Sequence, residues 1–341
     1  MGVPFTQRAT DALYAHERQL ADDISTRVAI VGVLGAAGRI QIIEGGQGWN
    51  ERILYAESSN AGHRSWRSSV AVDNPDYKTM ASYDGAFYSD SVVINQVERD
   101  EAKGEWGLGN VVEEAWQRAR ITAVSQIGSV LFATTKASAY HPISLPLMLP
   151  ATLPASQTGS TRGGIDSAAN KWWRSQANTT AVTDIGSSGS SGGLREVQKM
   201  MLSCRRGGAA KQKPNFALTT DALFTRFTSN AESGRRWEAN AKIASLGYSS
   251  VIFDGMTVVS DVNCTAKAFY TINTNTLRLK CLKQPKMKNI MNETNQYSLP
   301  MVINPFVRDP VSFNDIALMN LKYALTTNDL GSNGVISNCT E

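Results

Sequence analysis

The segment from Trp237 to Leu282 constrains the fold of this chain more strongly than any other part of the sequence. After a short helical pattern it contains four apolar β-runs, at 251–253, 257–260, 268–273 and 277–282. The first two runs flank Asp254-Gly255, and an Asp-Gly pair between apolar runs is a strong hairpin signal. The runs together predict a meander of strands. Because the segment carries almost no reactive side chains, it favours a structural role over an enzymatic one.

The composition is that of a folded protein of about two domains. The chain has 341 residues, of which 42% are hydrophobic and 19% are charged, a balance typical of globular proteins. The net charge of +4 lacks the strong basic bias of a dedicated nucleic-acid-binding protein. No apolar run is long enough to span a bilayer, and the N-terminus lacks a secretory signal pattern. We therefore expect synthesis and residence in a reducing cytosol.

The residues with most potential for chemistry are scattered along the chain. They are four cysteines and three histidines: Cys204, Cys264, Cys281, Cys339, His16, His63 and His141. The cysteines form no CxxC pair, so metal-ligand spacing is absent. The histidines have no Ser or Cys motif such as GxSxG beside them. The sequence therefore predicts no catalytic residue, no metal site and no cofactor.

Two helical patterns precede the centre of the chain. Residues 5–27 have apolar side chains on one side and charges elsewhere, as in an arm that packs against another element. The second pattern, 110–134, begins at Asn110, a good N-cap, and Glu113 three residues later completes a capping box. Its predicted length of roughly 35 Å suits a structural strut.

A second set of elements follows a proline-rich loop at 141–154. An amphipathic helix is predicted from Leu194 to Cys204. A strand at 215–220 then leads into another helix, capped by Thr220 or Asp221. Helices and strands in this order indicate a sheet flanked by helices, in an α/β or α+β layer, and the fold class that we predict with the family resemblance given below is α+β.

The segment 49–92 is polar but rich in aromatic residues. Two strand-like runs, 51–56 and 91–97, bound it. Its aromatic residues are Trp49, Tyr55, Trp66, Tyr77, Tyr83, Phe87 and Tyr88. A connection of this length with little core of its own is unusual within a compact domain, and so many aromatic rings are costly to leave in water. We interpret these residues as candidate inter-subunit contacts, in preference to the alternative that the segment is a flexible insertion.

One glycine pattern is a candidate nucleotide-binding turn. Gly32, Gly35 and Gly38 follow the apolar run RVAIV, and glycines after a strand can admit a dinucleotide pyrophosphate to a helix N-terminus. The spacing is GxxGxxG rather than GxGxxG, and strand-like residues follow where the fingerprint needs a helix. Close packing of the glycines is the favoured interpretation. The alternative is a nucleotide-binding oxidoreductase that uses this turn.

A basic run lies at the end of the β-rich segment. Its members are Arg278, Lys280, Lys283, Lys286 and Lys288. Such a run can contact phosphates without reading base sequence, or it can pair with acidic residues of a neighbouring subunit. Both interpretations stay open at this point, so a nucleic-acid-binding protein is a further alternative.

Four stretches together resemble one family. They are NVVEEAWQRARITAVSQIGSVLF at 110–132, GGIDSAANKWWRSQ at 163–176, RWEANAKIASLGYSSVIFDGMTVVSD at 236–261 and AFYTINTNTLRL at 268–279. In texture and in order they are similar to segments of the Hong Kong 97-type major capsid proteins of tailed double-stranded DNA bacteriophages. The resemblance extends from about residue 40 to residue 325.

The resemblance implies an architecture with an N-terminal arm, an extended β-hairpin loop, a spine helix, a peripheral domain and an axial domain. Residues 1–38 would be the arm, and 39–140 the first part of the peripheral domain, including the loop at 49–92 and the spine helix at 110–134. Residues 141–299 would be the axial domain, and 300–341 the return to the peripheral domain with a C-terminal tail.

The resemblance also implies a function. Family members assemble through pentamers and hexamers into an icosahedral shell that encloses double-stranded DNA. By this likeness the chain would be a structural protein of the virion, assembled in the host cytoplasm, and not an enzyme. Its partners would be copies of itself, portal and scaffolding proteins, in some shells decoration proteins, and packaged double-stranded DNA bound non-specifically. No membrane partner is implied.

Overall fold

The computed structural model describes most of the chain after the predicted arm. The described residues are 27–56, 60, 62–69, 76–95, 105–138, 140–157, 161–182, 185, 192–205, 213–229, 243, 247–283, 302–303, 306–308 and 314–340. The predicted arm helix at 5–27 lies outside them, apart from its last residue. Two six-stranded sheets form the framework of the described part.

The elements are numbered here in chain order. The helices are α1 (Ala29–Ala36), α2 (Glu105–Leu131), α3 (Leu145–Met148), α4 (Gly193–Ser203) and α5 (Asp221–Ser229). The first eight strands are β1 (Ile40–Ile43), β2 (Gly48–Leu54), β3 (Lys78–Asp84), β4 (Ala86–Ile94), β5 (Thr161–Arg162), β6 (Ile165–Asp166), β7 (Gln176–Asn178) and β8 (Phe216–Thr219). The other eight are β9 (Ser250–Phe253), β10 (Met256–Ser260), β11 (Phe269–Ile272), β12 (Leu277–Leu282), β13 (Val302–Ile303), β14 (Val307–Arg308), β15 (Asp315–Thr327) and β16 (Gly334–Ile336).

The first sheet is built around the long strand β15. Strands β4, β12, β13 and β14 all pair with it in antiparallel fashion, and β1 extends the sheet by pairing parallel to β12. Ala317, Met319 and Leu321 of β15 are fully buried while Leu318 between them is exposed, because successive side chains of a strand point to opposite faces. One face of this sheet therefore belongs to the core.

The long helix α2 contacts β4 of the first sheet. Its buried side chains include Trp116, Ile127 and Leu131. The predicted long helix is present, but it spans Glu105–Leu131 rather than 110–134 and therefore contains Asn110, the predicted N-cap, within its length. Two glycines lie in the first turns of this helix. Because glycine has a low helix propensity, the sequence did not indicate where the helix begins. The helix is about 40 Å long.

The second sheet has the strand order β7-β16-β11-β8-β10-β9. The hairpin predicted at Asp254-Gly255 is confirmed between β9 and β10, and φ values of 49° and 78° at its two residues are those of a type I′ turn. The predicted helices are also confirmed as α4 and α5. They pack on one face of this sheet in a cluster that contains Val197 and Phe227, while the other face joins the core of the first sheet.

The prediction of a meander over 251–282 is wrong. Strand β8 lies between β10 and β11 in the second sheet. Strand β12 is not part of that sheet but pairs with β1 and β15 in the first. Residues 273–276 make this crossing, and the Asn273 backbone N–H donates to Asn333 Oδ1 at 2.8 Å. Local sequence indicates which residues are extended, whereas burial against distant strands decides their partners.

The strand pairing in the two sheets can be compared with the predicted domain boundaries, which remain predictions. Strand β12 falls inside the predicted axial domain at 141–299 but pairs in the first sheet. Strand β16 falls inside the predicted peripheral return at 300–341 but pairs in the second sheet. Strand pairing thus suggests that the chain crosses between the layers at 273–276 and again at 328–333.

Candidate functional site

The candidate site is an antiparallel hairpin of β2 and β3, which forms its own two-stranded sheet. Its register runs from Gly48 opposite Asp84 to Leu54 opposite Lys78. The hairpin lies within the predicted extended loop at 49–92. The runs that were expected to bound this loop do not pair with each other, because the second of them overlaps β4 in the first sheet.

One face of this hairpin, the inner face, is buried inside the subunit. Trp49 and Glu51 of β2 and Ala81 and Tyr83 of β3 are buried, and the residues between them are exposed. The Tyr83 hydroxyl donates to the carbonyl oxygen of Thr327 on β15 at 3.0 Å. Burial raises the pKa of this hydroxyl, so Tyr83 remains a neutral donor. The inner face is part of the subunit core.

The opposite face, the outer face, is exposed and partly apolar. Leu54 is 75% exposed and Met80 is 61% exposed. Lys78 stands opposite Leu54, and Arg52 stands opposite Met80, so cations alternate with the apolar side chains. Neither Leu54 nor Met80 was among the contacts predicted from the sequence. Exposed apolar side chains beside polar ones are typical of a protein contact surface.

The seven predicted contact aromatics occupy three kinds of position. Trp49 and Tyr83 are buried in the subunit core, and Tyr55 and Tyr88 are half-buried. The Tyr55 ring stacks on Trp172 with centroids 4.8 Å apart. These four rings already have partners within the chain.

The three exposed aromatics are Trp66, Tyr77 and Phe87, and Trp66 is 85% exposed. Phe87 lies on β4 and so belongs to the first sheet. The inter-subunit role of the whole set stays a prediction, and these three rings have the surface that it requires.

A buried carboxylate, Glu51, ties the hairpin to the first sheet. Glu51 Oε1 lies 2.7 Å from Lys280 Nζ, and Oε2 lies 3.1 Å from Arg278 Nη1. Thr326 Oγ1 donates to the same carboxylate at 2.9 Å, and Lys280 Nζ also donates to the Asn50 carbonyl oxygen at 3.1 Å. Because a buried charge is tolerated only when it is paired and hydrogen-bonded, this cluster fixes β2 against β12 and β15.

The predicted basic run is therefore divided. Arg278 and Lys280 pair with Glu51 within the subunit, and Lys283 pairs with the exposed Glu44. The hydrogen bond from Lys283 lowers the pKa of the Glu44 carboxyl. Lys286 and Lys288 lie outside the described residues. Contact of the run with DNA or with a neighbouring subunit stays a prediction.

A glycine turn between β5 and β6 packs against the inner face of the hairpin. Gly163 and Gly164 have φ values of 60° and 76°, which favour glycine. The Gly163 carbonyl oxygen accepts the Ser82 N–H at 2.8 Å. A Cβ atom at Gly163 would stand 2.8 Å from the Ala81 side chain. The GGIDSAANKWWRSQ stretch thus supplies a support for the hairpin.

The glycine pattern at Gly32, Gly35 and Gly38 does not form a nucleotide-binding turn. The run RVAIV enters helix α1 rather than a strand, and Gly32 and Gly35 are buried within that helix. Gly38, at φ 66°, ends it in a Schellman motif, in which the Arg39 N–H donates to the Leu34 carbonyl oxygen at 2.7 Å. Here a helix is followed by a turn and then a strand, whereas a pyrophosphate site needs a strand, then a turn, then a helix. The oxidoreductase alternative is therefore not favoured.

A second buried carboxylate, Asp261, holds the start of α1. Its Oδ2 accepts the Ala29 N–H at 2.7 Å, and its Oδ1 accepts the Asn263 N–H at 2.9 Å. Burial raises the pKa of this carboxyl, although these hydrogen bonds act in the opposite direction. Asp261 joins the second sheet to the helix that leads into the first.

The remaining reactive residues do not converge. His63 is exposed, His141 is half-buried, and His16 lies outside the described residues. Within the ranges given above, no three His, Cys, Asp or Glu side chains are grouped so that they could hold a metal ion. All four cysteines are buried, and burial raises the pKa of the Cys281 thiol. In the same ranges, no helix has both the length and the apolar character that crossing a membrane requires.

Solved structures with similar folds include capsid subunits. The capsid asymmetric unit of cyanophage A-1(L) is similar over 90% of this chain and 93% of that chain, with a TM-score of 0.67 and 18% identity. The capsid of an empty GTA particle gives a TM-score of 0.52 at 11% identity over 90% of each chain. A structure from Mycobacterium phage Bobi gives 0.50 at 12% identity over 90% of each chain. No family model matches the chain, and no curated protein matches it.

These similarities define the class of fold. The chain adopts the Hong Kong 97-type capsid fold, so the predicted fold, with its mixture of helices and sheets, is confirmed. The identities are low, and the likeness is one of architecture.

Proposed function

We propose that this chain is a major capsid protein, a structural subunit that self-assembles into an icosahedral shell enclosing double-stranded DNA. The observation that carries the proposal is the similarity of 90% of the chain to the capsid subunit of cyanophage A-1(L), at a TM-score of 0.67. The protein is then a component of a bacteriophage virion and not an enzyme.

The finer features of assembly follow from the same proposal. The subunits form pentamers and hexamers in the host cytoplasm, and portal, scaffolding and decoration proteins join the shell. Packaged DNA contacts the inside without sequence preference. These features rest on the family resemblance, and Lys286 and Lys288 of the predicted run lie outside the described residues.

The hairpin supports an assembly role on physical grounds. Its inner face is fixed to the subunit by Glu51 and Tyr83, while Leu54 and Met80 on the outer face are exposed. A shell subunit needs several modest interfaces rather than one deep pocket. Many copies of a modest contact become strong collectively, since each subunit is held at several sites at once.

The first experiment is direct imaging of the purified full-length protein. Electron microscopy and sedimentation should show closed particles, either from this protein alone or after co-expression with the other structural proteins of the same phage. A species that stays monomeric in both cases, under all ionic conditions, would contradict the proposal.

A second experiment isolates the hairpin. The Tyr55 N–H donates to the Tyr77 carbonyl oxygen at 3.1 Å, so residues 56–76 can be replaced by a two-residue Asn-Gly turn that closes β2 onto β3. We expect a subunit with unchanged far-UV circular dichroism that no longer assembles. If the variant assembles as well as the parent chain, residues 56–76 are not part of the contact between subunits. If the circular dichroism signal is lost, residues 56–76 belong to the subunit core instead.

A further inference from the structure

A cleft of about 780 Å³ lies between the proline-rich segment and the second sheet. One wall carries Ile143, Pro146, Leu147 and Pro150, and Tyr270 lies on the other side. This volume falls within the range of roughly 300–1,000 Å³ that is common for binding sites. The proposed assembly role makes no use of this cleft.

The charged residues of the cleft all have one sign. Lys136, Arg162 and Lys267 line it, and none of the described residues that line it is acidic. Lys136 and Lys267 are exposed at the rim. Arg162 is buried, its Nη1 donates to Gln157 Oε1 at 3.3 Å, and burial lowers the pKa of its guanidinium to about 10. The cleft therefore combines apolar walls with a positive rim.

The rim of the cleft is held in a fixed and unfavourable backbone geometry. Lys267 and Asn338 have φ values of 59° and 62°, in the left-handed region that non-glycine residues adopt uncommonly. The Cys339 N–H donates to the Lys267 carbonyl oxygen at 3.0 Å and thus joins the two strained turns. Beyond the rim, Thr265 Oγ1 donates to the Phe132 carbonyl oxygen at the end of α2 at 3.5 Å.

We propose that this cleft binds a peptide segment of another protein in which carboxylate side chains stand beside leucine-sized apolar ones. The carboxylates would pair with Lys136 and Lys267, and the apolar side chains would cover the Ile143 and Leu147 wall. A nucleic-acid backbone fits less well, because its phosphates would lose water against Pro146 and Pro150 without gaining hydrogen bonds.

The test uses the full-length protein and a fluorescein-labelled hexapeptide, Leu-Glu-Pro-Leu-Asp-Leu, followed by fluorescence anisotropy. The comparison peptide, Leu-Gln-Pro-Leu-Asn-Leu, has the same shape without charge. We expect saturable binding of the acidic peptide and binding at least about tenfold weaker for the neutral one, since two charge pairs at a partly desolvated rim contribute roughly that factor.

The matching experiment changes the protein. One variant carries both Lys136→Glu and Lys267→Glu, and the control variant carries Lys171→Glu, at an exposed lysine outside the cleft. The double variant should bind the acidic peptide at least about tenfold more weakly, and the control should bind it as the parent does. Thermal unfolding of each variant verifies that the fold is kept.

Several outcomes would overturn this proposal. They are absence of saturable binding at millimolar peptide, equal binding of the two peptides, or equal loss in the control variant. Displacement of the acidic peptide by a single-stranded oligonucleotide would assign the cleft to nucleic acid. A change in subunit association by the double variant, without peptide binding, would assign it to a contact between copies of this chain.

Discussion

The two faces of the β2–β3 hairpin differ in what their side chains are used for. The inner face places Trp49 and Glu51 in the subunit core, where Glu51 contacts Lys280 at 2.7 Å. The outer face leaves Leu54 and Met80 exposed by 75% and 61%. One strand pair thus has a buried face and an exposed face, because alternation sends neighbouring residues to opposite sides. Changes on the inner face should destabilise the subunit, and changes on the outer face should affect assembly alone.

The largest loss of stability is expected at the buried ion cluster. Glu51→Ala leaves Arg278 and Lys280 without their carboxylate, and breaking a buried pair in this way costs about 3–5 kcal/mol. Urea unfolding of the variant measures the loss. The matched control is Glu44→Ala, which breaks the exposed pair with Lys283 and should change stability far less. Equal losses in the two variants would show that Glu51 does not hold the hairpin.

The next effect compares a buried tryptophan of the inner face with an exposed tryptophan of the connection between β2 and β3. Trp49 is 4% exposed and Trp66 is 85% exposed. Trp49→Ala should lower the free energy of unfolding by about 3 kcal/mol because it opens a cavity in the core. Trp66→Ala should lower it by no more than about 0.5 kcal/mol. If denaturant unfolding gives the reverse order, Trp49 does not contribute to the core as its burial implies.

A smaller effect contrasts two of the buried carboxylates, Glu51 and Asp261. Glu51 has cationic partners, whereas Asp261 is held by backbone N–H donors and has a raised pKa caused by burial. The folded state then keeps a proton that the unfolded chain loses, so the contribution of Asp261 to stability falls as pH rises above the ordinary carboxyl pKa of about 3.9.

Asp261→Asn should remove this fall in stability, and the variant should gain stability relative to the parent as pH rises above about 4. Unfolding curves at a series of pH values measure it. Asp254→Asn, at the exposed type I′ turn, is the control for the Asp-to-Asn exchange itself. A profile for Asp261→Asn that parallels the parent would mean that burial does not govern this carboxyl.

The sequence predicted those elements that are determined by residues close to one another in the chain. The turn at Asp254-Gly255 and helices α4 and α5 follow from turn residues, caps and apolar periodicity. Helix α1 did not follow, because its apolar β-branched residues are typical of a strand. Its helical state depends on complete burial and on Asp261, which lies 232 positions away from Ala29.

The site was only partly predictable for the same reason. The segment 49–92 was predicted to be a contact element, and that role stays a prediction, whereas its strand pairing and the burial of one face depend on distant residues. One local signal could have found Glu51. It stands between Trp49 and Ile53 at a spacing of two, so a strand that buries those apolar side chains must also bury the acid. A buried acid in turn requires cations, and Arg278 and Lys280 supply them.

The most direct test of the account separates folding from assembly at the outer face. In the double variant Leu54→Asp with Met80→Asp, the free energy of unfolding should change by no more than about 0.5 kcal/mol. The fraction of protein that sediments as particles should fall to background, because two charges would be buried in the subunit contact. Particles at the level of the parent chain would contradict the claim that the outer face of the hairpin builds the shell.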